Sequence, residues 1–186
     1  MSSTDEYELL FQNITKLRCM ETSISNLFYR STSLKYSTEA DLLSGEGAKR
    51  NGGRWNPVGI AMIYASDTPE KAMAETLAHY RYYGLEIHVS MPRLFVAMNV
   101  QLTSVLDLTS PKILKRIGMT MSRMTNVDWR KEMNAHRKPI SQTIGHAVSS
   151  AGFEGFIVKS HANQSGKNIV IIPDNLGIDA SLKVLT

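Results

Sequence analysis

Residues 51–84 read NGGRWNPVGIAMIYASDTPEKAMAETLAHYRYYG, and their pattern sets the local structure around the candidate site. It opens with a glycine-rich turn, continues as an apolar run suited to a buried strand, and ends in a helical pattern. The Ser-Asp-Thr of residues 66–68 offers capping side chains, and Pro69 suits a first helical turn. Gly84 is the expected stop of the helix. The sequence therefore predicts a loop–strand–helix unit.

The turn also places a guanidinium beside an indole, at Arg54 and Trp55. Glycine and asparagine suit a tight turn, but these two large side chains are not needed to make one. We expect Trp55 to pack into the core and anchor the loop. Arg54 is either an exposed turn residue or an anion-binding group, and the turn alone leaves both interpretations open.

Composition restricts the class of protein. The chain has 186 residues, 42% of them hydrophobic, and its 21 basic and 17 acidic residues give a net charge of +4. Cys19 is the single cysteine, so neither an internal disulfide nor a cysteine-rich zinc site is expected. The polar start MSSTDEYELL does not read as a signal peptide, and no apolar run reaches membrane-spanning length. These features predict a cytoplasmic protein without a membrane segment or a metal.

The remaining chain alternates helical and strand patterns without a regular βαβ rhythm. Helices are predicted over 5–18, 111–117 and 139–152, strands over 27–30, 60–65, 85–91, 94–100, 156–158 and 169–172, and a loop over 36–59. Residues 118–137 are rich in Met and charge, and their pattern predicts no role. This arrangement favours a mixed sheet in one α/β or α+β domain.

Five polar residues lie at strand ends or beside strands, where sites tend to be built. They are Arg30, Arg54, Glu75, Ser160 and Asn168. Each also has a structural interpretation: a surface ion pair, a turn residue, a solvated helical glutamate or a strand end. A solvated glutamate is the commoner outcome for a helical position such as that of Glu75. Taken singly, the five residues do not decide between function and structure.

Taken together, these segments resemble the RES-domain family. The matching stretches are FYR, SGEGAKRNGGRWNPVGIAMIY, AMAETLAH, GFIVKS and NIVIIP, which span residues 28–173. The family is named for its Arg, Glu and Ser, and its members are typically toxins of RES–Xre toxin–antitoxin pairs. The resemblance implies an α+β fold in a single domain, with a mixed twisted sheet and flanking helices, similar to ADP-ribosyltransferases. It divides the chain into an N-terminal helical extension (1–25), a RES-like domain (26–176) and a C-terminal tail (177–186).

The resemblance also assigns residues to roles around NAD⁺ as a substrate, with no other cofactor and no metal. The catalytic positions are Arg30, Glu75 and Ser160, and the substrate-binding positions are Arg54, Tyr64 and Asn168. A carboxylate at Glu75 suits the oxocarbenium-like ribose that forms when nicotinamide leaves. Arg30 or Arg54 suits the pyrophosphate. Tyr64 is expected to stack on nicotinamide or bond to ribose, and Ser160 to orient a hydroxyl or the carboxamide.

The function implied is that of a toxin enzyme that depletes NAD⁺ by hydrolysis or phosphorolysis of the nicotinamide–ribose bond. The first alternative is transfer of ADP-ribose to a protein target. The second is a non-catalytic module that binds nucleic acid or protein. The partner implied is an antitoxin with an Xre-like helix-turn-helix. Direct nucleic-acid binding by this chain alone is not expected, because no dense basic run or RNA-binding pattern is present.

Overall fold

The computed structural model describes residues 3–86, 88, 91–160 and 166–185. These residues form a mixed sheet with helices packed on it. The strands are β1 (Thr22–Ser33), β2 (Ile63–Ser66), β3 (Arg93–Asp107), β4 (Gly155–Lys159), β5 (Lys167–Ile171) and β6 (Ser181–Leu185). The helices are α1 (Ser3–Thr15), α2 (Glu39–Ser44), α3 (Glu46–Asn51), α4 (Pro69–Tyr82), α5 (Pro111–Arg116), α6 (Met121–Thr125), α7 (Trp129–Asn134) and α8 (Ile140–Ser150).

The strands are ordered β1-β2-β5-β4-β3-β6, and β3 also pairs with β1, so the pairings return to the first strand. β3 runs parallel to β4 through Val105 and Gly155, and the other pairings are antiparallel. The sheet is therefore mixed and curved back on itself. The predicted α+β class with a mixed sheet and flanking helices is confirmed.

Successive residues of β5 point into two different parts of the core, because side chains alternate along a strand. Val170 packs in a cluster with α1, α5 and α8, and Ile169 packs in a second cluster with β3 and α2. The predicted stripe of α8 is buried, with Ile144 and Ala147 fully enclosed. The sheet is thus covered on both faces around β5, which carries one of the predicted site residues.

The predicted loop–strand–helix unit forms, with its strand at Ile63–Ser66 and its helix at Pro69–Tyr82. Thr68 is the N-cap of α4, its hydroxyl accepting a hydrogen bond from the backbone N–H of Lys71 at 3.3 Å. Pro69 is the first helical residue, where its missing N–H costs nothing. Ser66 was grouped with the capping candidates, but it is the last residue of β2. The Ser66 side chain is therefore not the cap of α4.

Several predicted boundaries were wrong. The predicted loop over 36–59 contains α2 and α3, because Leu42 is buried and Thr38 caps α2. The described residues of 85–91 form no strand, and residues 87, 89 and 90 lie outside the described residues. β3 begins just after Pro92, which has no N–H to donate to a ladder. β1 is longer than predicted because its polar N-terminal half pairs with β3.

The two ends of the chain join the same body. α1 packs on α8 and buries Leu10 and Ile14, although Leu9 from the predicted apolar face is exposed. Residues 181–185, within the predicted C-terminal tail, form β6 and pair with β3. The division at 25 and 176 remains a prediction. Among the described residues, no helix combines the length and apolar character needed to span a bilayer.

Candidate active site

Glu75 on α4 meets two side chains from the neighbouring strands β4 and β5. The Ser160 hydroxyl and the Asn168 amide Nδ2 each donate a hydrogen bond to Glu75 Oε1, both at 2.7 Å. Ser160 directly follows β4 and is buried, and Asn168 pairs with Val158 across the sheet. The sequence separations are 85 and 93 residues, so only the fold brings these groups together.

A third strand orients the Asn168 amide. Ser66 at the end of β2 is the register partner of Asn168, and its hydroxyl donates to Asn168 Oδ1 at 2.9 Å. A carboxylate can only accept, so Nδ2 must face Glu75 while Oδ1 faces Ser66. Ser66 was missed as a site residue because a serine between a strand and a helix usually caps the helix.

Both described hydrogen bonds to the Glu75 carboxylate end on Oε1, which leaves Oε2 for a ligand. The Ser160 hydroxyl acts as a donor to this carboxylate. Ser160 and Asn168 therefore hold Glu75 in place, and Glu75 is the candidate reactive group. It fits the predicted roles of a charge-stabilising carboxylate and an orienting serine, which stay predictions.

The glycine loop carries Arg54 towards the same carboxylate. Arg54 Nη2 donates to the backbone carbonyl oxygens of Thr125 at 2.7 Å and Met124 at 3.3 Å, both at the end of α6. Burial lowers the pKa of the Arg54 guanidinium, whereas the nearby Glu75 carboxylate acts in the opposite direction. Both described bonds use Nη2, so Nη1 and Nε are left for an anion.

Tyr64 braces the loop from β2. Its hydroxyl donates to Asn56 Oδ1 at 2.7 Å and accepts from the backbone N–H of Trp55 at 3.0 Å. Burial raises the pKa of the Tyr64 phenol, so the group stays neutral. A Cβ on Gly53 would lie 2.6 Å from this hydroxyl, which explains the glycine. The expected ribose contact through the hydroxyl of Tyr64 competes with these bonds and stays a prediction.

Trp55 anchors the loop, as expected. It is buried, and its ring meets that of Phe156 edge to face at 5.7 Å between centroids. Its carbonyl oxygen touches α8 at Gly145, where a Cβ would lie only 1.7 Å away. Any larger residue at Gly145 would displace the loop and, with it, Arg54.

Arg30 has its described hydrogen bond outside this network. Its Nη1 donates to the carbonyl oxygen of Leu42 in α2 at 2.5 Å, and burial lowers the pKa of its guanidinium. No described hydrogen bond joins it to Glu75. The catalytic role predicted for Arg30 therefore rests on the sequence resemblance alone.

These residues can hold an anionic ligand next to a carboxylate, a serine and an amide. No group of three or more His, Cys, Asp or Glu side chains suited to a metal ion occurs in the described part of the chain. The chemistry offered is electrostatic: a positioned negative charge and a nearby guanidinium.

The RES domain family matches residues 27–182 of the chain. The chain belongs to the RES domain family. The match begins inside β1 and extends into β6, so it includes every predicted site residue. The RES family resemblance drawn from the motifs is confirmed.

Named relatives of this RES protein are two kinds of toxin. It is 44% identical over 61 residues to "Prs ADP-ribosylating toxin" of Sphingobium sp., covering 33% of this chain and 38% of that protein. It is 29% identical over 121 residues to "NAD(+) phosphorylase MbcT" of Mycobacterium tuberculosis and of Mycobacterium bovis, covering 63% of this chain and 60% of each relative. The matched regions thus span less than two thirds of these proteins.

A solved structure resembles this RES protein over nearly its whole length. The crystal structure of the M. tuberculosis MbcT–MbcA toxin–antitoxin complex matches with a TM-score of 0.73 and 25% identity. The match covers 96% of this chain and 90% of the chain compared. The fold is therefore shared well beyond the motifs.

Proposed function

We propose that this RES protein cleaves the nicotinamide–ribose bond of NAD⁺ and acts as an NAD⁺-depleting toxin enzyme in the cytoplasm. The observation that carries the proposal is the Glu75 carboxylate, fixed at Oε1 by Ser160 and Asn168 at 2.7 Å each. The relatives named NAD(+) phosphorylase support it. No cofactor or metal is invoked beyond NAD⁺ as the substrate.

The chemistry needs a stabilised cation more than an acid. Nicotinamide leaves as a neutral molecule, and the ribose it leaves behind develops oxocarbenium character. The free oxygen Oε2 of Glu75 stabilises that positive charge and bonds to a ribose hydroxyl, while Ser160 and Asn168 keep the carboxylate from turning. Arg54 pairs with the diphosphate through Nη1 and Nε. Water or inorganic phosphate then adds to the ribose carbon.

Nicotinamide release from NAD⁺ by the purified protein tests the proposal. Phosphorolysis predicts that nicotinamide release rises with added phosphate and that the other product is a phosphorylated ADP-ribose. Hydrolysis predicts that nicotinamide release does not depend on phosphate and that the other product is ADP-ribose. Absence of release under both conditions, together with no labelling of protein from labelled NAD⁺ in a lysate, would exclude NAD⁺ cleavage.

A second candidate is transfer of ADP-ribose to a protein. The specific observation in its favour is the 44% identity over 61 residues to a toxin named for ADP-ribosylating Prs. It uses the same Glu75 network and differs only in the acceptor. Label that moves from NAD⁺ to a single protein band, without bulk loss of NAD⁺, distinguishes it.

We also propose that a neutralising antitoxin covers the site, with the Xre-like helix-turn-helix expected for RES toxins. The structural relative is a toxin–antitoxin complex, which supports a partner of this class. Co-expression with the neighbouring reading frame, followed by copurification and loss of nicotinamide release, tests this. Unchanged activity in a stable complex would contradict inhibition.

A further inference from the structure

Residues 118–137, which the sequence pattern left without a role, build a cluster around Arg130. The guanidinium carbon of Arg130 lies 4.3 Å from the ring centre of Trp129 and 4.7 Å from that of Tyr82. It also lies 5.6 Å from the ring centre of Tyr83. Arg130 Nη2 is 3.0 Å from His79 Nδ1. The cluster joins the start of α7 to the last turns of α4.

His79 serves Arg130 as an acceptor. Burial and the positive charges of Arg130 and Arg93 lower the pKa of the His79 imidazole, so the ring is neutral near pH 7. A guanidinium can only donate, so Nδ1 accepts and the ring proton sits on Nε2. Histidine and the three rings together fix the plane of the Arg130 guanidinium.

This cluster continues the candidate active site along α4. Glu75, His79 and Tyr82 are spaced four and three residues apart, so their side chains share one helix face. At about 1.5 Å per residue, Tyr82 lies about 10 Å along α4 from Glu75. Arg54 contacts the segment that leads into this cluster, because its Nη2 donates to the carbonyl oxygens of Met124 and Thr125. Its pKa is also affected by the charges of both Glu75 and Arg130. The carboxylate and the aromatic rings therefore lie along one face of α4.

One structural contact joins the cluster, since the Tyr82 hydroxyl donates to Asp128 Oδ1 at 3.4 Å, but this bond does not account for the exposed rings or for Arg130. Tyr82 and Tyr83 are 44% and 54% exposed, which is too open for rings that only support a core. Arg130 forms no ion pair in the described part of the chain, and its Nε has no acceptor there. Arg93, in contrast, sits by Tyr80 and bonds through Nε to Ser31 at 2.7 Å. Arg93 is a satisfied structural arginine, and Arg130 is not.

We infer that Arg130 and its aromatic platform, Trp129, Tyr82 and Tyr83, form the subsite for the adenosine-diphosphate half of the dinucleotide. The inference rests on the proposed function, in which Glu75 acts on the nicotinamide riboside half. Arg130 and Arg54 are two neighbouring guanidinium groups, which matches the two charges of a diphosphate. Exposed tyrosine rings offer a purine a stacking surface.

Assays with two substrates distinguish a defect in this subsite from a defect in the reaction centre. Nicotinamide mononucleotide has the same scissile bond as NAD⁺ but lacks adenosine and the second phosphate. We expect Arg130→Gln to lower kcat/KM for NAD⁺ about 10- to 100-fold, mainly through KM. The same variant leaves kcat/KM for the mononucleotide within about twofold of wild type, since its contacts are elsewhere.

Matched variants exclude a general effect. Lys131→Gln removes the same charge from the adjacent, exposed position and should behave as wild type on both substrates. Arg130→Lys keeps the charge but not the planar fork, and should recover only part of the loss. Equal losses on NAD⁺ and the mononucleotide would show a structural role and overturn the inference.

Titration with ADP tests the subsite without any turnover. We expect wild type and Lys131→Gln to bind ADP alike by calorimetry, and Arg130→Gln to bind at least tenfold more weakly. ADP affinity that is absent in wild type, or unchanged in Arg130→Gln, overturns the inference. Binding of ADP together with no release of nicotinamide would instead sink the proposed function and leave the subsite standing.

Discussion

Glu75 and Glu154 are carboxylates in the same small domain, but their surroundings differ. Glu154 is buried, and both its oxygens are occupied: Oε2 accepts from the backbone N–H of Thr103 at 2.6 Å and Ser104 at 3.1 Å, and Oε1 from that of Gly177 at 3.0 Å. Glu75 is half-buried and uses only Oε1 in its described bonds.

The number of donors at each oxygen distinguishes a structural carboxylate from one that can bind a ligand. Glu154 ties β3 to the segment before β6, and it accepts from three backbone N–H groups and from the Thr103 hydroxyl. In the described part of the chain, Glu75 accepts hydrogen bonds from side chains at one oxygen and none at the other. A carboxylate with four donors has no acceptor site left for a ligand, whereas one with two donors does.

Glu75→Gln is the variant with the largest expected effect. The amide keeps an oxygen for Ser160 and Asn168 but removes the negative charge that would stabilise the ribose cation. We expect nicotinamide release to fall about 10²- to 10⁴-fold, with little change in melting temperature. Activity close to wild type would show that Glu75 is not catalytic, and the comparison with Glu154 would then have no functional meaning.

Arg54→Ala tests whether the open side of Glu75 faces an anion. Removing a charged donor is expected to raise KM for NAD⁺ about 10- to 100-fold, with a smaller change in kcat. Arg50→Ala provides the control, because Arg50 is an exposed arginine of the adjacent α3 paired with Glu46. If the two variants have the same KM, the glycine loop is only a turn.

Glu154→Gln tests the other half of the comparison through stability. We expect the free energy of unfolding at pH 7 to fall by about 1–3 kcal/mol, since an amide NH₂ would face backbone donors. Nicotinamide release per folded molecule should be unchanged. Urea unfolding beside the activity assay checks both, and lost activity without lost stability would contradict the structural role.

The same variant has a defined pH dependence. Burial raises the pKa of the Glu154 carboxyl, but the backbone N–H groups of Thr103, Ser104 and Gly177 outweigh it, so the pKa lies below its ordinary value of 4.5. This stabilisation is present above the unfolded-state value and is lost as pH falls through the lowered folded value. The difference in the free energy of unfolding between wild type and Glu154→Gln should therefore shrink only below about pH 4.5.

Ser66→Ala is expected to have the smallest effect. It removes one neutral hydrogen bond that fixes the Asn168 amide, so kcat should fall about 2- to 10-fold with KM little changed. Ser141→Ala is the matched control, because Ser141 is a buried serine whose Oγ has no described partner. A drop in melting temperature without a change in kcat would make Ser66 a purely structural residue.

Much of this architecture can be predicted from the sequence. The glycine loop, the strand before α4, the cap at Thr68 and the buried stripe of α8 follow from local rules of turn chemistry and periodicity. Trp55 was expected in the core because large aromatics bury most area. The family resemblance predicts the roles of Glu75, Ser160 and Asn168. The fold alone shows that these three side chains are in contact.

Other features have no local signal. β6 is short and mixed in character, and only its pairing with β3 makes it a strand. The short helix α2 follows from its cap at Thr38 and from the burial of Leu42, neither of which the glycine- and serine-rich stretch predicts. α3 begins directly after Gly45, whose left-handed backbone ends α2. Arg30 and Arg54 are equivalent candidates in the sequence, but the described hydrogen bond of Arg30 is to Leu42 of α2.

The residue types available for chemistry, and the family to which they belong, follow from the sequence. Which of these residues share a hydrogen bond follows from the fold, because each bond among Ser66, Glu75, Ser160 and Asn168 joins residues at least 85 positions apart. The fold also gives Glu154 donors at both oxygens, and Glu75 donors at one oxygen among the described residues. Donors reach a carboxylate through space, and their number cannot be read from neighbours in the chain.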